Sequence, residues 1–219
     1  MKQVIPAQPP RRTVLEGRLV RVAPLDAAAH SAAIYAGTHG EDQDTRWAWM
    51  SDGPFPDLPA FEAQMARKQE SEDPLYFALV ERASGMPGGY ASYLRITPAH
   101  GVIEVGDIMY TRSFQRTAAA TEAMYLMARH AFEDLGYRRY EWKCNALNEP
   151  SRRAALRYGF TFEGIFRQHM IVKGHNRDTA WFSMLDSEWP ARKAAFEAWL
   201  DPANFDADGR QRLALRCRP

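Results

Sequence analysis

The segment that most restricts the fold runs from Val102 to Leu147. It holds an apolar run, VIEVGDIMY, and a polar turn without proline, TRSFQRT. An amphipathic stretch follows that begins with three alanines and stops at Gly136, and then a second apolar–polar run, RRYEWKCNAL. The outer runs carry strand periodicity and the middle one helix periodicity. A strand, a helix of that length and a second strand in one sheet require a parallel, right-handed crossover. A chain holding this unit is committed to a sheet with helices packed on it.

The remaining elements fall around that unit. RLVRVAPL reads as a first strand, and DAAAHSAAIYAG as a helix with Asp26 as N-cap. PDLPAFEAQMARKQES is a second helix opening at Asp57 or Pro59; LYFALVER is a strand and SGMPG a turn. GYASYLRI pairs with VIEVGDIMY around a TPAHG turn. After the crossover come a short helix, PSRRAALRY, and the strands FEGIFRQHMIVK and RDTAWFSML, joined by a GHN turn. The expected fold is a mixed α/β sheet, mostly antiparallel, with a central parallel strand pair and helices on both faces. One domain is expected over residues 14–200. Residues 1–13, with three prolines, and the polar residues 201–219 are expected to be peripheral extensions.

Charge and composition restrict partners. Lys+Arg 28 against Asp+Glu 27 leaves a formal charge of +1, which gives no reason to expect nucleic acid or an anionic membrane. No run is long and apolar enough to span a bilayer, and the N-terminus lacks a signal-peptide apolar core, so a cytoplasmic protein is expected. Cys144 and Cys217 are too few for a disulfide framework, and Cys144, inside a strand-like run, is expected to be a buried, inert thiol. The histidines have no metal-ligand spacing; His169 and His175 flank a hairpin turn and are expected at the surface, and no metal is expected.

The strand–turn–helix order has a chemical reading. A helix start leaves backbone N–H groups without partners and carries partial positive charge. In QRTAAAT the small side chains of Ala118, Ala119 and Ala120 leave that backbone open, while Arg116 and Thr117 add donors. Such a start is an anion cradle suited to a pyrophosphate. The same alanines are also simply good helix formers.

From Glu104 to Phe160 the chain resembles the GNAT superfamily of acyl-CoA-dependent N-acetyltransferases, most of all its ribosomal-protein N-terminal acetyltransferase branch. The family's cofactor loop, Gln/Arg-x-x-Gly-x-Gly/Ala, is filled by Gln115-Arg116-Thr117-Ala118-Ala119-Ala120, with Ala118 where glycine is usual. EVGDIMY before the loop, and NEPSRRAALRYGFTFEG after it, stand in the family's order. The resemblance implies acetyl-CoA as co-substrate, lying along Ile108, Met109 and Tyr110, the loop from Gln115 to Thr121, and Asn148 and Ser151. It implies as partner an amine-bearing small molecule or a protein N-terminus, with a homodimer as a further expectation.

Acetyl transfer needs a group to take the amine's proton and a donor for the departing thiolate. Strand alternation puts Glu104 on one face with Gly106, Ile108 and Tyr110, where desolvation would raise its pKa, and Asp107, a rival base, on the other. The tyrosine that many family members use as acid falls at Ala155 here, and Tyr158 lies a turn away. The resemblance therefore implies Ser151, which by its position is equally a helix-start residue beside the N-cap Asn148. Arg152, Arg153 and Arg157 form a basic helix face. Trp47, Trp49 and Phe55 read two ways, as a satellite core or as the wall of an acceptor pocket. Direct transfer to a primary amine is the expected activity, with a non-catalytic acyl-CoA binder on the same fold as the alternative. No Walker lysine or dinucleotide fingerprint supports a nucleotide-binding module.

Overall fold

The computed structural model describes residues 5–217. Within them the chain begins β1 (Leu15–Glu16), β2 (Val20–Pro24), α1 (Ala27–Thr38), α2 (Gln43–Trp47) and α3 (Leu58–Glu70), followed by β3 (Leu75–Glu81) and β4 (Pro87–Thr97). The crossover unit is β5 (Val102–Tyr110), α4 (Ala118–Arg129) and β6 (Arg139–Asn145). After it come α5 (Glu149–Arg157), β7 (Thr161–Val172), β8 (His175–Leu185) and α6 (Trp189–Leu200). The eight strands form one sheet in the order β1-β2-β3-β4-β5-β6-β8-β7. Every neighbouring pair is antiparallel except β5–β6, the parallel pair that the crossover demanded.

The sheet is buried unevenly on its two faces. Leu75, Phe77 and Leu79 of β3 enter the main cluster beneath α4 and α6, while Tyr76, Ala78 and Val80 face a second cluster built with Ile34, Phe61 and Met65 of α1 and α3. This strand is apolar at consecutive positions because both its faces are covered. The second cluster takes no residue from β6, β7 or β8. On that side the C-terminal half of the sheet carries mainly polar side chains together with Trp181 and the Phe166 ring packed on it.

Local chemistry sets the helix ends. Asp26 and Asp57 accept from the backbone N–H groups of Ala29 and Ala60, as N-caps do. Glu122, buried in α4, accepts from the N–H groups of Arg18, Leu19 and Val20 at 3.0, 2.6 and 2.9 Å, tying the crossover helix to the start of β2. Gly17 permits this approach: a Cβ there would lie 2.5 Å from the Glu122 Oε2.

Several features differ from the sequence reading, beginning with α2, which lies in a segment read as a polar loop. Helix α6 lies in a segment given no element, and its Trp189, Phe196 and Trp199 seal the main core. The β7–β8 turn is Lys173–Gly174 rather than GHN, with φ of 48° and 78°, as a two-residue hairpin turn of the I′ kind requires. The expected extensions also reach inward. Ala7 donates to the Pro98 carbonyl, and Leu215 and Cys217 are buried in the main cluster. Among the described residues no helix is long and apolar enough to cross a membrane.

Glu122→Ala should leave three backbone donors without their acceptor. A loss of at least about 2 kcal/mol is expected from urea unfolding, read as a lower midpoint at unchanged slope.

Candidate functional site

The site starts where two strands part. β5 and β6 are paired over only three residues, from Val102–Arg139 to Glu104–Glu141. Beyond Glu104, β5 keeps only β4 as a neighbour, and there it bulges: Ser92 faces Gly106 but Tyr90 faces Met109, one extra residue on β5. The bulge holds Asp107 at φ 45°, in the left-handed region. Such a bulge bends its strand and increases its twist, here in the strand that leaves β6.

The extra residue also reverses side-chain parity. Ile103 and Val105 lie in the main cluster, but after the bulge Ile108 and Tyr110 pack against that cluster and Met109 enters the second. The expectation that Glu104 shares a face with Ile108 and Tyr110 is therefore corrected. Asp107 reaches Lys68 and the hydroxyl of Tyr76, a residue of the second cluster's face, and that is the face opposite Ile103 and Val105, to which Glu104 belongs. Lys68 lies 2.6 Å from Asp107 Oδ2 and 3.2 Å from Asp52 Oδ2, so Asp107 is engaged in a buried ion cluster.

Helix α4 opens at the mouth of the cleft. Thr117 is its N-cap, accepting from Ala120 N–H at 3.1 Å and donating to the Phe114 carbonyl at 2.8 Å. Among the described residues the N–H groups of Ala118 and Ala119 have no acceptor. The left-handed residue of the turn is Arg116, at φ 66°, so Ala118 is an ordinary first helical residue. Only part of the alanine run is open: Ala118 is half-buried, whereas Ala119, Ala120 and Thr121 are buried in the core. Gln115 and Arg116 are exposed at the lip.

Glu104 is 4 % exposed, with Lys143 Nζ and Arg95 Nε both 2.9 Å from its Oε2. Its other oxygen, Oε1, has no partner among the described residues and is not sealed from solvent. Burial raises the Glu104 pKa above the usual carboxylate range, against the pull of Lys143 and Arg95. Lys143 also lies 2.5 Å from Glu141 and sits over the Trp181 ring at 3.8 Å. Glu141 in turn pairs with Arg139, which holds Glu163. The sequence reading named none of these partners. Their signal is the period-two spacing of Glu141 and Lys143 on the strand that pairs with Glu104.

At the far wall, the Ser151 hydroxyl accepts from the Trp142 indole at 3.0 Å, and its backbone N–H is capped by Asn148 Oδ1 at 3.1 Å. Held as an acceptor by the indole, this hydroxyl keeps its own proton for another acceptor. Cys144 is buried, and burial raises its thiol pKa against the hydrogen bond of Ser151. Ala155 is fully buried. The basic face of α5 is divided: Arg152 and Arg153 pair with Glu149, and Arg157 reaches the Thr121 hydroxyl at 3.2 Å.

The pocket-wall reading of the tryptophans does not hold for Trp47. Its ring is 0 % exposed in the second cluster, its indole donates to the Thr38 carbonyl at 3.2 Å, and Phe55 packs edge-on against it. Trp47, the one ring of helix α2, and Phe55 after it both pack edge-on against Phe61. Trp49 is exposed at 40 %. His175 is exposed as expected, whereas His169 is half-buried against Thr179 and Trp181.

Comparison with known proteins accords with this geometry. The family described as "Acetyltransferase (GNAT) domain" matches residues 18–161. A GCN5-related N-acetyltransferase from Brucella melitensis, solved as a crystal structure, is 50% identical, covers 96% of this chain and 95% of its own, and superposes with a TM-score of 0.94. The "Putative ribosomal N-acetyltransferase YdaF" of Bacillus subtilis (strain 168) is 32% identical over 82 residues, 37% of this chain and 45% of its own length. The match therefore spans less than half of that relative. The Microcin C7 self immunity acetyltransferase MccE, solved with acetyl-CoA and AMP, shares the fold at 19% identity and a TM-score of 0.65, over 77% of this chain and 93% of its own.

Lys143→Met should leave Arg95 as the one cation paired with Glu104 among the described residues and raise its pKa further. A carboxyl whose native pKa exceeds its unfolded value destabilises the fold when ionised. The penalty is thus full above the native pKa and fades as pH falls toward the ordinary value of 4.5. Urea unfolding should show a loss of about 3 kcal/mol or more near pH 8 that shrinks toward pH 5.

Proposed function

The chain belongs to the GNAT acetyltransferase family, and on that footing we propose that it moves an acetyl group from acetyl-CoA directly to a primary amine. The observation that carries this reading is the pairing of an open helix start, with free N–H groups at Ala118 and Ala119, to a buried glutamate on the strand that leads into it. The fit to acetyl-CoA rests on this chain's own residues. The parting of β5 from β6 leaves room between strands, the α4 start offers donors and positive partial charge to a pyrophosphate, and the exposed Arg116 adds a cation. The relative solved with acetyl-CoA has the same fold.

In the proposed reaction the amine nitrogen attacks the thioester carbonyl carbon. The C–N bond forms, the C–S bond breaks, and the amine's surplus protons leave. Glu104 Oε1 is the acceptor for one such proton. Lys143 and Arg95 both occupy Oε2, which fixes the carboxylate without consuming its other oxygen. The raised pKa brings the group nearer the proton affinity that such a base needs. Ser151, oriented by Trp142 and Asn148, is the proposed donor to the departing thiolate. Trp49 and Phe55 stay as proposed acceptor contacts, and Trp47 supports them from below. The acceptor is a small amine or a protein N-terminus.

A second reading, an acyl-CoA binder without turnover, draws on two observations: Glu104 is already held by two cations, and the tyrosine position is the buried Ala155. An amine panel assayed beside coenzyme A binding separates the two.

Glu104→Gln should lower kcat strongly while leaving acetyl-CoA affinity nearly unchanged, and it should remove the acidic limb of the pH–rate profile. In the parent that limb should lie above the ordinary carboxylate range, because burial raises Glu104. Retained turnover with the same limb would exclude Glu104. Ala118→Glu, at the half-buried open position, should weaken coenzyme A binding by more than tenfold, about 1.4 kcal/mol. Unchanged calorimetric affinity in the folded variant would exclude the helix start as the pyrophosphate site.

A further inference from the structure

The polar face of the C-terminal half-sheet carries more positive charge than its carboxylates use. Arg177, Thr179 and Trp181 alternate along β8, and the register sets Thr179 against Asn145 and Trp181 against Lys143 on β6. The same side chains are joined by contact. Thr179 Oγ1 receives Arg177 Nε at 3.2 Å and meets His169 Nδ1 at 2.9 Å. Trp181 lies under Lys143, and Lys143 holds Glu104. Arg95 reaches Glu104 from β4. The row therefore leads from the proposed base to Arg177.

Along it, Glu104 is shared by Lys143 and Arg95, and Glu141 by Lys143 and Arg139. Arg177 has no carboxylate partner among the described residues, and its terminal nitrogens have no acceptor. Burial pushes this guanidinium below its usual range, against the pull of Cys144 and Glu104, and the charge of Arg95 adds a smaller push the same way as burial. His169 is held low by burial and then by the charges of Arg95, Arg177 and Lys143, which all act on this one ring. A half-buried guanidinium held in a fixed direction, with no carboxylate bonded to it among the described residues, is suited to receive a carboxylate in two parallel hydrogen bonds.

We infer that the acceptor is a primary amine carrying a carboxylate near its amino group, with the carboxylate held by Arg177 and Arg95 and the amine facing Glu104. This rests on the acetyl-transfer reading above. It gives the cleft complementary ends: a carboxylate for the ammonium and guanidinium groups for the anion. An amine of purely positive charge, such as a polyamine, would meet the surplus cations unfavourably. The carboxylate belongs either to a free amino acid or to an acidic residue at a peptide N-terminus.

The test uses product analogues, so that binding is read without turnover. N-acetylglycine, N-acetylaspartic acid α-amide and N-acetylglycinamide are titrated calorimetrically into the protein with coenzyme A present. The first carries the carboxylate of a free amino acid, the second that of an acidic N-terminal residue, and the third neither. At least one carboxylate compound should bind at least tenfold more tightly than N-acetylglycinamide, and which one identifies the source. Arg177→Met should abolish the preference and Arg177→Lys should restore part of it. Equal affinities in the parent protein would overturn the inference, and so would a preference that survives in Arg177→Met. A parallel turnover assay with glycine, an aspartyl peptide, glycinamide and spermidine addresses the transfer reading separately. Absence of turnover on all four, with the binding preference intact, would count against transfer and leave the anion site standing.

Discussion

The bulge at Asp107 is the constraint on which the site depends. A strand paired regularly on both edges presents no open backbone and no gap. Here β5 spends three residues on β6, then takes in one extra residue against β4 and departs. One left-handed residue thus does two things. It carries the strand away from its parallel neighbour, and it exchanges the faces of every side chain that follows. Gly89 lets β4 follow the bent strand, since a Cβ there would lie 2.0 Å from the Met109 carbonyl oxygen. The open start of α4 is then delivered to the mouth of the gap by the turn at the end of β5.

Around this gap the fold accepts buried charge at several places, each with its own means of compensation. Glu122 is satisfied by backbone N–H groups, which tie α4 to β2. Lys68 is enclosed by Asp107 and Asp52 with the Tyr76 hydroxyl, which braces the bulge against α3. Glu104 and Lys143 share their charges along the polar sheet face. Burying ions is costly even when they are paired, so clusters of this kind are weak evidence of stability for its own sake. Two of the three fix the backbone that frames the gap, and the third fixes the direction of the proposed base. That is the preorganisation a reaction with developing charge requires.

Much of this was legible in the sequence. The crossover from VIEVGDIMY to RRYEWKCNAL carries the parallel pair unambiguously, because periodicity changes from two to 3.6 residues and back. The N-cap Asp26 is readable from its side chain just ahead of a helical pattern, and the start of α3 is narrowed to Asp57 or Pro59, of which Asp57 is the cap. The bulge is not readable. Nothing in EVGDIMY distinguishes a straight strand from one with an extra residue, and the alternation rule then put Ile108 and Tyr110 on the wrong side of Glu104. The ion partners of Glu104 come from its two neighbouring strands, Arg95 from the hairpin partner β4 and Lys143 from β6 across the crossover, so their meeting is a property of register rather than of any short motif. The aromatic residues of RWAWMSDGPF mislead for a related reason. Polar neighbours suggest a loop, but a five-residue helix turns Trp47 inward and leaves Trp49 out.

The alanine at position 118 shows why a motif is best judged by what its residues must do. The family's usual glycine there suggests a position that needs backbone freedom, and an alanine would then be a defect. In this chain the left-handed conformation falls two residues earlier, at Arg116, while Ala118 begins the helix with ordinary geometry. What the loop must supply is an approach without bulk and donors without partners. A methyl group that is half-buried leaves the first open, and the free N–H groups of Ala118 and Ala119 supply the second. The cost of the left-handed turn is carried instead by an exposed arginine, whose side chain stands at the lip of the cleft, where an anion would be met. Ala118 thus begins the helix without strain, and the left-handed turn falls to Arg116, whose exposed side chain would add charge to the proposed site.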